Sequence, residues 1–140
     1  MEINMNRLKG IIVKVDSKGH LWRVTAKIGT AEITAVLLDF AKSSSLPLIG
    51  KSVAVSFKEA ETALALEIPG HILSIRNRLA CRVSAVEDDG ILANIKLDFE
   101  GNVLRALITS ESMHDLAIMP NKTVNALIKS TEVMIDIEDI

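Results

Sequence analysis

The seven residues Trp22-Arg23-Val24-Thr25-Ala26-Lys27-Ile28 place an apolar side chain at every second position, and 71 positions further on Ala93-Asn94-Ile95-Lys96-Leu97-Asp98-Phe99 repeats the same phase. Alternation at period two marks a strand with one face buried and one in water. The same offset superposes Asn6-Arg7-Leu8 on Asn77-Arg78-Leu79, and pairs Val15 with Val86, Gly19 with Gly90, Leu21 with Leu92, Ala35 with Ala106, Lys51 with Lys122 and Lys58 with Lys129. Later, Val53, Val55 and Phe57 answer to Val124, Ala126 and Ile128, again at period two. The chain is read as a duplicated β module.

Working outward, each copy has a strand starting near Leu8 or Leu79, a turn at Gly19 or Gly90, the alternating strand, and a third strand over 32–37 or 103–108. From Thr109 to Leu116 the alternation stops. Thr109 or Ser110 can cap a short helix there, with Glu111 in the first turn where the dipole favours a negative charge. Leu46-Pro47 in the first copy and Met119-Pro120 in the second stop that helix, and a fourth strand and a short fifth (63–66 and 133–137) are expected to close each unit. Pro69-Gly70 marks a turn in a linker over 67–73. The expected fold is all-β: two tandem OB-like five-stranded barrels, each with one short helix, with repeat one at 1–67 and repeat two at 68–140.

Composition narrows the function. Of 140 residues, 49% are hydrophobic and 24% charged, which is material for a packed core. The 16 basic and 18 acidic side chains leave a formal charge of −2, which gives no general attraction to nucleic acid or anionic membrane. Aromatics are 3%, too few for base-stacking platforms. One cysteine excludes an intramolecular disulfide and a paired-Cys zinc site, and fits a reducing compartment. Met1-Glu2-Ile3-Asn4 opens no basic segment leading into an apolar run, and no stretch approaches the roughly 18 apolar residues of a membrane span. A cytoplasmic chain is the expectation.

Three separated motifs of the second copy carry a resemblance: Ser74-Ile75-Arg76-Asn77 before a strand, then Ala106-Leu107-Ile108-Thr109 with Ser112 and Leu116, and finally Ala126-Leu127-Ile128-Lys129-Ser130 before Val133. In this order the chain resembles the Mop domain, the TOBE-type module of molybdate-binding proteins, in the tandem di-Mop form found in molbindins. The resemblance covers essentially the whole chain. It implies binding of molybdate or tungstate without chemical change, for storage, homeostasis or sensing of the oxyanion. It also implies no enzymatic activity and no organic cofactor. A homo-oligomer follows as well, a trimer before a dimer, with Ser74 and Arg76 of one chain facing Thr109 and Ser112 of another.

The chemistry is consistent with that. A tetrahedral dianion without a proton wants donors only, and nearby carboxylates repel it. Arg76 brings a permanent charge and a fork of donors; Ser74, Thr109 and Ser112 bring hydroxyls; Lys129 brings a second cation. Asn77 and Ser130 complete the candidate oxyanion set by their place in the motifs. Thr109 and Ser112, three apart at a helix start, would share a face beside free backbone N–H groups. In the first copy Ile3, Met5, Leu38 and Ala41 stand where Ser74, Arg76, Thr109 and Ser112 stand in the second, and Asp39 lies near where the donors should be, so no complete site is expected from that copy alone.

Plainer roles remain for the same residues: a surface ion pair for Arg76, a helix cap for Thr109 and Ser112, soluble strand ends for Lys58 and Lys129. Cys81, in phase with Leu79 and Val83, reads as a core residue. His20, His71 and His114 have no second ligand at metal spacing, and Asp136, Glu138 and Asp139 read as a solvated tail. The alternative function is a regulatory effector module acting by protein contact, similar to the C-terminal domains of molybdate-responsive repressors or molybdate-importer ATPases. The chain has neither a helix-turn-helix nor a nucleotide-binding loop of its own. Molybdate and tungstate, nearly equal in size and charge, are not separable from sequence.

Overall fold

The computed structural model describes residues 4–41, 47–67 and 72–138. Ten strands carry the fold: β1 (Met5–Lys18), β2 (Leu21–Ile28), β3 (Ala31–Leu38), β4 (Ser52–Lys58), β5 (Ala63–Ala65), β6 (Asn77–Asp88), β7 (Leu92–Phe99), β8 (Asn102–Thr109), β9 (Thr123–Ile128) and β10 (Met134–Ile137). One α-helix, α1 (Ser110–Asp115), lies among the described residues, with short 3-10 turns at Glu59–Glu61 and Ser130–Glu132. The all-β reading and the strand positions hold. The first-copy helix expected before Leu46-Pro47, the Pro69-Gly70 turn, Ile3, His71 and Asp139 fall wholly or partly outside the described residues.

Both sheets are antiparallel and have five strands, in the orders β10-β4-β1-β2-β3 and β5-β9-β6-β7-β8. Here the sequence expectation fails. The fifth strand of each repeat does not close its own unit: Ala63–Ala65 pairs with β9, with Ala63 opposite Leu127, and Met134–Ile137 pairs with β4, with Ile135 opposite Val55. The acidic residues Asp136 and Glu138, read as a tail, belong to this exchange: Asp136 lies opposite Ala54, and the Glu138 N–H donates to the Ser52 carbonyl at 2.9 Å. An unpaired strand edge leaves a row of N–H and C=O groups to be satisfied, and each half of the chain supplies the other's missing row. β10 also contacts β3, and β5 contacts β8, so each sheet curls towards closure in OB-like order. A bulge in the same place in both repeats, between Ile12 and Lys14 and between Val83 and Ala85, helps β1 and β6 to bend.

The inward faces of both sheets form one continuous core. Leu8, Val24, Ile33 and Phe57 from the first half pack with Leu79, Ile95, Leu97 and Leu104 from the second, all fully buried. Cys81 is buried among them, and burial pushes its thiol up to about 12, as befits an inert core residue.

Polar clasps join the sheets. Asn77, 1% exposed, accepts from the Thr34 N–H at 2.8 Å and donates to the Thr34 carbonyl at 2.9 Å. Asn6, its counterpart, does the same to Arg105: its Oδ1 accepts from the Arg105 N–H and its Nδ2 donates to the Arg105 carbonyl, both at 2.8 Å. The hairpin tips meet as well, where Glu100 accepts from the Thr30 hydroxyl at 2.6 Å and its carboxylate lies against Gly29, whose left-handed conformation favours glycine.

Replacing Asn77 with Leu leaves a backbone donor and acceptor of Thr34 without partners between the sheets. We predict a loss of about 2 kcal/mol or more in urea unfolding, with a similar loss for Asn6→Leu. Losses below about 0.5 kcal/mol, the range of an ordinary surface change, would show that the clasps are incidental.

Candidate functional site

The start of α1 is the best-organised polar region of the second repeat. Thr109 ends β8 in an extended conformation and caps the helix, its hydroxyl oxygen accepting from the Ser112 N–H at 3.1 Å. The same hydroxyl donates to Ser112 Oγ at 2.9 Å, which leaves the Ser112 proton pointing elsewhere. Both side chains are exposed. The first-turn N–H groups are less available than expected, because that of Ser110 donates to the Ile91 carbonyl at 2.9 Å and that of Ser112 to Thr109. The far end of the helix is held by Lys122, whose ammonium donates to the Leu116 carbonyl at 2.6 Å and the Ala117 carbonyl at 3.2 Å.

Asp88, at the end of β6, ties the helix start to the sheet. Its Oδ1 accepts from the Ser110 hydroxyl and from the Gly90 N–H, and its Oδ2 lies 3.6 Å from His114 Nε2. These partners, the Ser110 hydroxyl foremost, hold its carboxyl below the usual carboxylate range. Asp89 is lowered too, by the N–H groups of Leu92 and Ile91. His20 is exposed and pairs with Asp39 at 2.7 Å, so the first-copy aspartate lies in a surface contact.

A cleft of about 390 Å³ opens beside this helix start, lined by Thr109, Ser112 and Lys129 of the second repeat and by Ala60, Glu61, Thr62 and Ala63 of the first. Ile75, Leu107, Ile108, Leu127 and Glu132 complete its wall. Of the candidate set, Thr109, Ser112 and Lys129 thus meet. Ser74 and Arg76 are exposed on either side of Ile75 and do not line the cleft, and neither does Ser130 in its 3-10 turn. Asn77 plays a different part, buried between the sheets with its amide holding Thr34.

The sequence reading missed the first-repeat wall. β5 pairs with β9, so the turn that precedes β5 packs against β8. Within that turn the buried Glu59 accepts from Asn94 Nδ2 at 3.0 Å, and Asn94 in turn accepts from the Arg105 guanidinium at 3.3 Å. Thr62, almost fully buried, donates to the Lys58 carbonyl at 2.9 Å. Glu61, between them, is exposed to the cleft. The cleft in a single chain is not lined by donors alone: Glu61 and Glu132 face the same space as Lys129, and among the described residues none of the three has an ion-pair partner. No group of three His, Cys, Asp or Glu among the described residues is placed to hold a metal ion, and no described helix is long and apolar enough to cross a membrane.

Residues 73–135 match the family described as TOBE domain. A molybdenum transport protein, ModE, of Herbaspirillum seropedicae is 26% identical over 95% of this chain and 50% of its own length. A molybdenum import ATP-binding protein, ModC, of Rhodospirillum rubrum is 33% identical over 81% of this chain and 34% of its own length. The chain thus spans half or less of these curated relatives. Among solved structures, the cytoplasmic molybdate-binding protein ModG, in a form with molybdate bound, superposes with a TM-score of 0.86, covering 95% of this chain and 96% of that one at 24% identity. At that identity the likeness is one of fold.

The Asp88 contacts predict a pH signature. A carboxyl lowered in the folded state stabilises the fold above its ordinary value of 3.8, and this contribution is lost as the pH falls through the lowered value. Asp88→Asn should therefore lower the melting temperature near neutral pH, and the gap from the parent protein should close in acid. A gap that stays constant from neutral pH into strong acid would contradict the assignment.

Proposed function

Because residues 73–135 match the family described as TOBE domain, we propose that this protein binds a tetrahedral oxyanion of the molybdate and tungstate class, without chemical change, in the cleft at the start of α1. One observation carries the reading: Thr109, Ser112 and Lys129, two hydroxyls and a cation from separate motifs, converge on one cleft. Storage, homeostasis or sensing of the oxyanion is the corresponding role, with no organic cofactor. The fold likeness to a cytoplasmic molybdate-binding protein supports the same reading and a cytoplasmic location. The effector-module alternative has no separate observation behind it.

A single chain gives this cleft one cation against two carboxylates, so a dianion needs more positive charge than Lys129 provides. Arg76, exposed outside it, is the group to supply that charge from a neighbouring copy, with the exposed Ser74 adding a hydroxyl donor. We therefore propose a homo-oligomer, with a trimer as the first expectation and a dimer as the alternative, in which the Ser74 and Arg76 segment of one chain meets Thr109 and Ser112 of the next. Ser130 and Asn77 support the site from behind, through the turn after Lys129 and the clasp on Thr34. We also propose that 1–67 and 68–140 are repeats of sequence which fold only together, since each lacks the edge strand the other provides.

Equilibrium dialysis with sodium molybdate tests the binding reading. Lys129→Ala should weaken binding about tenfold or more, as expected for the loss of a charge-assisted hydrogen bond of about 1.5–3 kcal/mol. Thr109→Val should cost about 0.5–1.5 kcal/mol, the range of a neutral bond. Parent and variants binding equally, or the parent binding none, would refute it.

A further inference from the structure

We propose that the first repeat, which lacks the oxyanion groups, holds a neighbouring copy of this chain through an apolar contact in which Met5 of one chain docks against Leu38 and Met134 of the next. The inference rests on the homo-oligomer reading above and goes beyond it, because it gives the repeat without binding motifs a surface and a partner of its own.

Arg76, Thr109 and Ser112 correspond, 71 positions earlier, to Met5, Leu38 and Ala41, so both sides of the contact proposed for the second repeat are apolar in the first. Ala63, on the wall of the second repeat's cleft, corresponds to Met134 by the same offset. Leu38 is 71% exposed, Met134 49% and Met5 38%, and β10, which carries Met134, contacts β3, which ends in Leu38. Exposure alone decides little, since Ile49 and Ile91 are exposed too and single apolar side chains are ordinary on a surface. The paired replacement is what sets these residues apart. Where one side would bring a cation it brings a thioether, and where the other would bring hydroxyls it brings aliphatic side chains.

The occupant follows from the symmetry of the chain. Its halves are joined by reciprocal contacts: β5 on β9 answers to β10 on β4, and Asn77 on Thr34 answers to Asn6 on Arg105. Contacts that are reciprocal between two like units are those of a two-fold axis, here an internal one. In a closed ring of copies, that axis turns each contact between second repeats into an equivalent contact between first repeats. A neighbour whose Thr109 and Ser112 receive Arg76 of this chain therefore offers its own Met5 to Leu38 and Met134. One contact of the junction is polar and takes the anion; the other is apolar and gains from burial with no ligand present. The apolar contact keeps the copies together while the polar one is empty.

Sedimentation velocity of the full chain without molybdate tests this on the parent, Met5→Lys, Leu38→Glu, the double variant and Ile49→Lys. The changed residues are exposed, and circular dichroism checks that each variant keeps the fold. Either single change at the contact should raise the dissociation constant of the assembly about tenfold or more, since it buries a charge without a partner. The double variant should recover most of that loss, because the new charges face each other with opposite sign. Ile49→Lys, on an exposed turn, should assemble like the parent. An oligomeric parent whose single variants assemble as tightly as it does overturns this inference alone. Losses in both with no recovery in the double variant would place the residues apart and overturn it as well, as would an equal loss in Ile49→Lys. A parent that is monomeric at every concentration overturns the homo-oligomer reading, and this inference with it. A chain that assembles through these residues yet binds no molybdate in dialysis supports the inference and overturns the oxyanion reading.

Discussion

Backbone groups along the outer edges of β4 and β9 must find partners, and each edge finds them on a short segment from the opposite half of the chain. Much else depends on this exchange. A three-residue strand, β5, and a four-residue strand, β10, could not hold two independent domains together by area alone. They place each repeat's last strand inside the other's sheet, so that separating the halves would expose two edges and divide one core. The paired clasps of Asn6 on Arg105 and Asn77 on Thr34 reinforce the same junction, since each removes a backbone donor and acceptor from any competing arrangement.

The exchange also explains how a degenerate repeat contributes to a site. The first repeat has lost the hydroxyls and the arginine, yet its 3-10 turn forms a wall of the second repeat's cleft because β5 must reach β9. That wall carries a carboxylate. The electrostatics of the cleft are therefore set by both repeats: the second brings two hydroxyls, a cation and Glu132, and the first adds the carboxylate of Glu61. Duplication followed by divergence of one copy gives a natural route to such an asymmetric cleft, because the scaffold role of the first copy survives the loss of its own binding groups.

The strands were legible because their signal is local. Alternation in Trp22 to Ile28 and Ala93 to Phe99 needs no knowledge of partners, a recurrence at one fixed offset located nearly every strand, and the Thr109 cap was readable from its own side chain where the alternation stops. Partner choice was not legible. The residues of β5 and β10 suit either fourth strand equally, because a period-two pattern specifies a face and says nothing about which sheet will take it. Glu61 was missed for the same reason, as it reaches the cleft only through the exchange. Asn77 is occupied by the clasp on Thr34, and its identity with Asn6, in the copy where the hydroxyls and the arginine are replaced, is the signal for that shared structural role.

The exchanged strands make the two repeats one folding unit, and on this the rest of the account stands. Trp22 is the sole tryptophan and lies in the first repeat, so its fluorescence follows that half alone. The direct test is urea unfolding of Leu97→Ala, a core truncation in the second repeat, followed through Trp22. The account predicts a single transition whose midpoint shifts down with the whole molecule, by the few kcal/mol expected of a buried leucine (about 2–5). A Trp22 transition that stays where it is in the parent protein would mean that the repeats unfold separately, and would contradict the account.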